Sequence, residues 1–202
     1  MKKGKKITVY SLKGGQGKTS ISAAIGLELD YQIITNDIHS PLQKIIKEGN
    51  VLKLEPNEAL PSEKSLEGGN IIFDLGGYLD PRVVDALKMS DMVIAPVTDF
   101  GRMLDTEGFI NTISEIRNHN SNIIIVLNKM NDEVAKVMKE ELIKLNYKYP
   151  VFEVKKSEAI EDMFVGRISI SAIVKNGGLK GYTYKGINNQ IQKIVNHIKG
   201  VK

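Results

Sequence analysis

The stretch SLKGGQGKTS, residues 11–20, brings together groups suited to holding a polyphosphate. Gly14, Gly15 and Gly17 permit tight turns, so successive N–H groups across Gln16 can point inward at phosphate oxygens. The cation of Lys18 is long enough to reach β- and γ-phosphates, and the Thr19 hydroxyl is placed to ligate Mg²⁺. The nucleotide-binding set expected from this loop is Gly14, Gly15, Gln16, Gly17, Lys18, Thr19 and Ser20. Two features depart from the general pattern G-x-x-x-x-G-K-[ST]. Leu12 stands where its first glycine belongs, and a second lysine, Lys13, precedes Lys18 by five residues.

Two carboxylates complete the candidate chemistry. Asp74 ends the apolar run NIIFDL and is followed by LGG, so it can hold the Mg²⁺ shell while Gly76 and Gly77 let the chain pass close to a γ-phosphate. Asp37, in IITNDIHSP, follows another apolar run and can orient an attacking water.

These side chains need a scaffold that gathers them at one edge. ITVYS (7–11), YQIIT (31–35), NIIFDL (70–75), MVIAPVT (92–98) and NIIIVLNK (122–129) read as buried strands, most of them apolar on both faces. VLKLE (51–55) and PVFEV (150–154) read as edge or near-edge strands. Helical patterns fall at about 18–29, 41–48, 81–89, 105–118, 132–146 and 156–164. The alternation implies an α/β chain with a doubly wound, mainly parallel sheet flanked by helices. The helix opening at Lys18 would add its positive dipole end to the phosphate loop. Segments 56–69 and 175–186 read as surface loops, the second glycine-rich and basic. The final pattern sets Ile187, Ile191, Ile194, Val195, Ile198 and Val201 on one helical face. Residues 1–202 read as one domain, without an internal repeat.

The chain has 202 residues, with 28 Lys and Arg against 24 Asp and Glu, a net charge of +4. That mild positive balance suits transient contact with nucleic acid or anionic lipid. The absence of cysteine excludes disulfides, thiolate metal sites and iron–sulfur ligation by this chain. The opening MKKGKKITVY lacks the apolar core of a signal peptide, and no apolar run approaches spanning length, so a cytoplasmic protein is expected.

KGGQGKT, Lys13–Thr19, matches the K-G-G-x-G-K-[ST] loop of the deviant-Walker ParA/MinD ATPases, and the resemblance extends over almost the whole chain. It is closest to the small, ParF-like plasmid-partition type without an added DNA-binding domain. The resemblance implies a P-loop NTPase fold, ATP and Mg²⁺ as ligands, and an ATP-dependent homodimer. In that dimer Lys13 reaches across to the phosphates held by the other subunit. Lys13, Lys18 and Asp37 are then the catalytic candidates, Thr19 and Asp74 the metal ligands. Asn128, in NKMND, sits where the family reads the adenine. DIHSP lies at the family's D-x-D-P, with His39 in place of the second aspartate. Met89–Asp105 resembles the strand and switch-like loop that follow the Walker B end, and VGRISI (165–170) a late turn of the small partition proteins.

The resemblance implies a slow, Mg-dependent ATP hydrolase. In the partition version it binds non-specific DNA as the dimer, associates with the nucleoid and is stimulated by a centromere-binding partner of ParB or ParG type. Lys155, Lys156, Arg167, Lys175, Lys180 and Lys185 are the candidate cations for DNA phosphates. A MinD-like membrane cycle would need residues 187–201 as a surface helix. Its stripe is β-branched and lacks Phe, Trp and Leu, so a helix packed on the sheet is expected and membrane contact is not. A metabolic P-loop enzyme is the remaining reading, and it would have no use for Lys13.

Overall fold

A computed structural model of the chain describes residues 4–47, 49–76, 80–98 and 103–200, with only the backbone at 103–105. Seven strands form one parallel sheet in the order β3-β2-β4-β1-β5-β6-β7. They are β1 (Lys6–Val9), β2 (Gln32–Thr35), β3 (Val51–Lys53), β4 (Ile71–Asp74), β5 (Met92–Val97), β6 (Ile123–Asn128) and β7 (Val151–Val154). The two segments read as edge strands, β3 and β7, are the sheet's edges.

Alternating side chains explain why the central strands are mostly apolar on both faces. Ile7 and Val9 of β1, Ile72 of β4 and Ile94 of β5 enter a core on one face. Phe73, Val93, Ala95 and Ile125 enter the core on the other. The first core is closed by α1 (Lys18–Leu29), α6 (Glu158–Gly166), α7 (Ile170–Lys175) and α9 (Lys185–Gly200). The second is closed by α3 (Pro81–Met89), α4 (Met103–Arg117) and α5 (Asp132–Lys144). Helix α2 (Leu42–Ile45) is a single turn that buries Leu42 and Ile45. Ser157, Asn131 and Asp80 cap α6, α5 and α3 by accepting backbone N–H groups through their side chains.

The stripe on α9 is buried as expected at Ile187, Ile191, Ile194, Val195 and Ile198, with its principal strand contact on β7. Val201 lies outside the described residues. The loop expected over 175–186 is corrected by the structure. Gly177 and Gly178 take φ of 77° and 70°, and the chain then forms α8 (Gly178–Thr183) before α9 begins. One of its glycines serves helix contact. A Cβ at Gly181 would stand 2.9 Å from the Val174 carbonyl oxygen of α7. No helix among the described residues is long and apolar enough to cross a membrane.

Candidate nucleotide site

Strand β1 lies between β4 and β5, where the strand order reverses, and such a switch point opens a crevice at the carboxyl edge. Register places Asp74 at the end of β4, opposite Val9 of β1 and Thr35 of β2. A cleft of about 520 Å³ opens there, lined by Gly15, Gly17, Lys18, Thr19 and Ser20 of the loop and by Asp37 and Asp74 from the neighbouring strand ends. Asn36, Gly76 and Lys129 complete its wall. Gly77 and the side chain of Asp105 lie outside the described residues.

The glycine loop is fixed from beneath. Asn128, 3% exposed, donates Nδ2–H to the Gln16 carbonyl at 3.0 Å. The Gln16 side chain is buried as well, and its Oε1 accepts from Thr98 N–H at 2.7 Å and from the Thr98 hydroxyl at 3.2 Å. Gly17 at φ 82° forms the cap of α1, and a Cβ there would stand 2.2 Å from Asn128 Nδ2. Glycine is therefore required both by dihedral and by space. Leu12, in place of the usual first glycine, packs against the second core, and its N–H donates to Thr112 Oγ1 at 3.2 Å.

Charge in the cleft is balanced against burial. Asp74 is 3% exposed and accepts from Ser22 Oγ at 3.0 Å. Burial pushes its carboxyl above the usual range, while hydrogen bonds from Thr19 and Ser22 and the Lys18 charge act in the other direction. Burial likewise lowers the Lys18 ammonium, against the raising effect of Asp74 and Asp37. Lys18 Nζ rests 3.3 Å from the Ser11 carbonyl. Both ionised forms are thus held at a cost that counter-charges can relieve. A polyphosphate would neutralise Lys18, and a divalent cation would neutralise Asp74. Magnesium needs only one or two protein oxygens beside phosphate oxygens and water, and the Thr19 hydroxyl and Asp74 carboxylate supply such a pair. The residues present fit Mg-nucleotide.

Asp37 lies on the cleft wall, its Oδ1 accepting from the His39 N–H at 2.9 Å in a side-chain turn. Lys13 is elsewhere. It is exposed and borders a narrow groove with Pro96, Val97 and Phe109. Asn128, expected at the adenine, does not line the cleft, whereas the adjacent Lys129, at φ 58°, does. Lys129 and Asn36 had one sequence signal each, a polar residue at a strand exit beside a residue already singled out.

The six candidate DNA cations are all exposed and lie away from this cleft. Lys155 pairs with Asp132 and Lys180 with Asp162, each at 2.7 Å, and Lys185 Nζ stands 5.5 Å from the Tyr182 ring centre. Lys156, Arg167 and Lys175 have no carboxylate partner among the described residues. Arg167 lines a second cleft, of about 620 Å³, together with Lys44 and Lys47.

Comparison with known proteins agrees with this geometry. The sequence profile of the CobQ/CobB/MinD/ParA nucleotide binding domain matches residues 7–166. None of the curated proteins matches significantly. Among solved structures, the chain resembles a Cyanothece McdA variant in complex with ATP, at TM-score 0.71 and 14% identity, covering 98% of this chain and 97% of that one. It also resembles the septum site-determining protein MinD complexed with Mg-ADP from Pyrococcus horikoshii, at TM-score 0.64 and 16% identity, covering 97% and 96%. A putative plasmid partition protein from Borrelia burgdorferi bound to AMPPNP gives TM-score 0.53 and 18% identity over 83% of this chain and all of that one. With a seven-stranded parallel sheet, a phosphate-loop cleft at its switch point and a family match over most of its length, the chain belongs to the CobQ/CobB/MinD/ParA nucleotide-binding family, as a ParA/MinD-type ATPase domain.

Proposed function

We propose that the chain is a partition ATPase of the ParA type, working in the cytoplasm at the nucleoid. It would form an ATP-dependent sandwich dimer, attach to non-specific DNA, and hydrolyse ATP when a centromere-binding partner of ParB or ParG type engages it. The observation that carries this reading is the different placement of two lysines. Lys18 lines the cleft with Thr19, Asp37 and Asp74, whereas Lys13 of the same loop is exposed and does not line it. A cation in that position can serve a triphosphate approaching from a second subunit, whose charge would otherwise repel the apposed surface.

The chemistry asks little of the protein beyond positioning. Lys18 and the loop N–H groups hold the phosphates, and Thr19 and Asp74 would hold magnesium, which when bound neutralises charge on the phosphate oxygens. Asp37 orients water for in-line attack. Loss of the terminal phosphate removes the contacts joining the subunits, and the dimer loosens.

Burial of the α9 stripe against the sheet favours DNA over a membrane surface, because the apolar face a lipid helix would need is already covered. Lys156, Arg167 and Lys175 then become the foremost DNA contacts, since Lys155 and Lys180 already hold carboxylates. A salt-titrated DNA-binding assay in ATP and in ADP, run beside liposome sedimentation, tests the reading. DNA binding that needs ATP and weakens steeply with salt supports it. Lipid binding without DNA binding would replace it with the membrane cycle.

A further inference from the structure

Asn36 follows β2 and faces the chain leaving β4. Its carboxamide pairs with both polar groups of one residue. Nδ2 donates to the Gly76 carbonyl at 2.7 Å, and Oδ1 accepts the Gly76 N–H at 2.8 Å. Nδ2 also donates to Asp80 Oδ2 at 2.6 Å. Asp80 is in turn fixed by Arg82, at 2.7 Å between Nη2 and Oδ2, and Arg82 Nη1 is anchored on the carbonyls of Glu55 and Glu58. The amide group of Asn36 is thus set in one orientation by three hydrogen bonds to two residues, and the single N–H of Gly76 is committed to it.

Gly76 and Asn36 both line the cleft that holds Lys18, Thr19, Asp37 and Asp74. On the nucleotide-site reading, a metal held by Asp74 would sit against the outer phosphates, so a third phosphate, absent from a diphosphate, would lie on the side of the cleft at the β4 exit. A phosphate oxygen there is a stronger acceptor than a carboxamide, because the hydrogen bond is charge-assisted. We infer that Asn36 is a positioning residue that occupies the Gly76 N–H in the ligand-free state and yields it to a terminal phosphate, so that it sets how strongly the site prefers ATP to ADP. The inference rests on the nucleotide-site reading above. A competitor held in place lowers affinity for the ligand that must displace it and leaves the shorter ligand untouched. The Asn36 arm would also carry the exchange outward, because its release frees Asp80 from one partner.

The test is calorimetric titration of the full chain with Mg-ADP and with a Mg-bound non-hydrolysable ATP analogue. Asn36→Ala removes the competitor and should raise the ratio of ATP-analogue to ADP affinity about fivefold, the worth of one ordinary hydrogen bond. In the unliganded wild type the Gly76 amide should be protected from hydrogen exchange, and that protection should vanish in the alanine variant. A ratio that stays unchanged in Asn36→Ala, with both affinities moving together, would mean a merely structural residue and would overturn the inference. So would an unprotected Gly76 amide in the wild type. A wild-type chain that binds neither nucleotide would instead defeat the nucleotide-site reading, and the inference with it.

Discussion

The Asn128 side chain supports the phosphate loop from below, its amide 3.0 Å from the Gln16 carbonyl and its nitrogen filling the space that a Cβ at Gly17 would need. This relationship joins the end of β6 to the start of α1 across the sheet's carboxyl edge. It sets Asn128 beneath the loop, and Asn128 does not line the cleft.

Asn128→Ala leaves the Gln16 carbonyl buried without its donor, at a cost of about 1–3 kcal/mol, which urea denaturation measures. Because the loop itself is disturbed, affinity for ATP, GTP and tripolyphosphate should fall together. A loss confined to ATP, with tripolyphosphate unaffected, would return Asn128 to the role of adenine reader.

Asp74→Asn should separate stability from function. Burial raises the Asp74 carboxyl in the fold, so its contribution favours folding below the unfolded value, about 3.9, and is lost as pH rises through the folded value. At neutral pH the ionised group is therefore a net cost in the ligand-free protein. The asparagine variant, still able to accept from Ser22, should melt a few degrees higher, since about 1 kcal/mol shifts a chain of this size by roughly 2–4 °C. Magnesium should no longer strengthen nucleotide binding to it. Calorimetric melting and titration with and without Mg²⁺ check both halves.

Asp37→Ala should retain ATP binding and lose hydrolysis by about 10²-fold or more, the usual worth of a group that positions a reacting proton. The ATP-bound dimer should accumulate. A phosphate-release assay at saturating ATP reads the effect, and an unaltered rate would remove Asp37 from the mechanism.

Acid should weaken the Asp80 node. The hydrogen bond from Arg82, with help from Asn36, holds the Asp80 carboxyl below the usual range. Its contribution is present above the unfolded value, about 3.9, and is lost as pH falls through the depressed folded value. The stability difference between wild type and Asp80→Asn should thus stay level from pH 8 to about 5 and shrink below about 4. Denaturation curves across that range give the comparison.

Much of the fold was legible because buried parallel strands are apolar on both faces, and β1, β4, β5 and β6 are exposed to neither solvent layer. The loop and its two acids were legible because their spacing and strand-end context are local. Asn36, Lys129 and the hydrogen bond from Asn128 to the loop were not, since each depends on which strand ends become neighbours across the sheet order. The segment 175–186 misled for a related reason. Gly181, which suits a loop in isolation, here permits α8 to approach α7, a tertiary demand that composition does not express.

The division of labour between Lys18 and Lys13 can be tested by the sedimentation mass of wild type and Lys13→Ala in Mg-ADP and in a Mg-bound non-hydrolysable ATP analogue. The wild type should double its mass only with the triphosphate, and Lys13→Ala should bind that nucleotide yet remain monomeric. A wild type that stays monomeric with the analogue bound, or a Lys13→Ala protein that dimerises equally well, would contradict a shared, face-to-face nucleotide site.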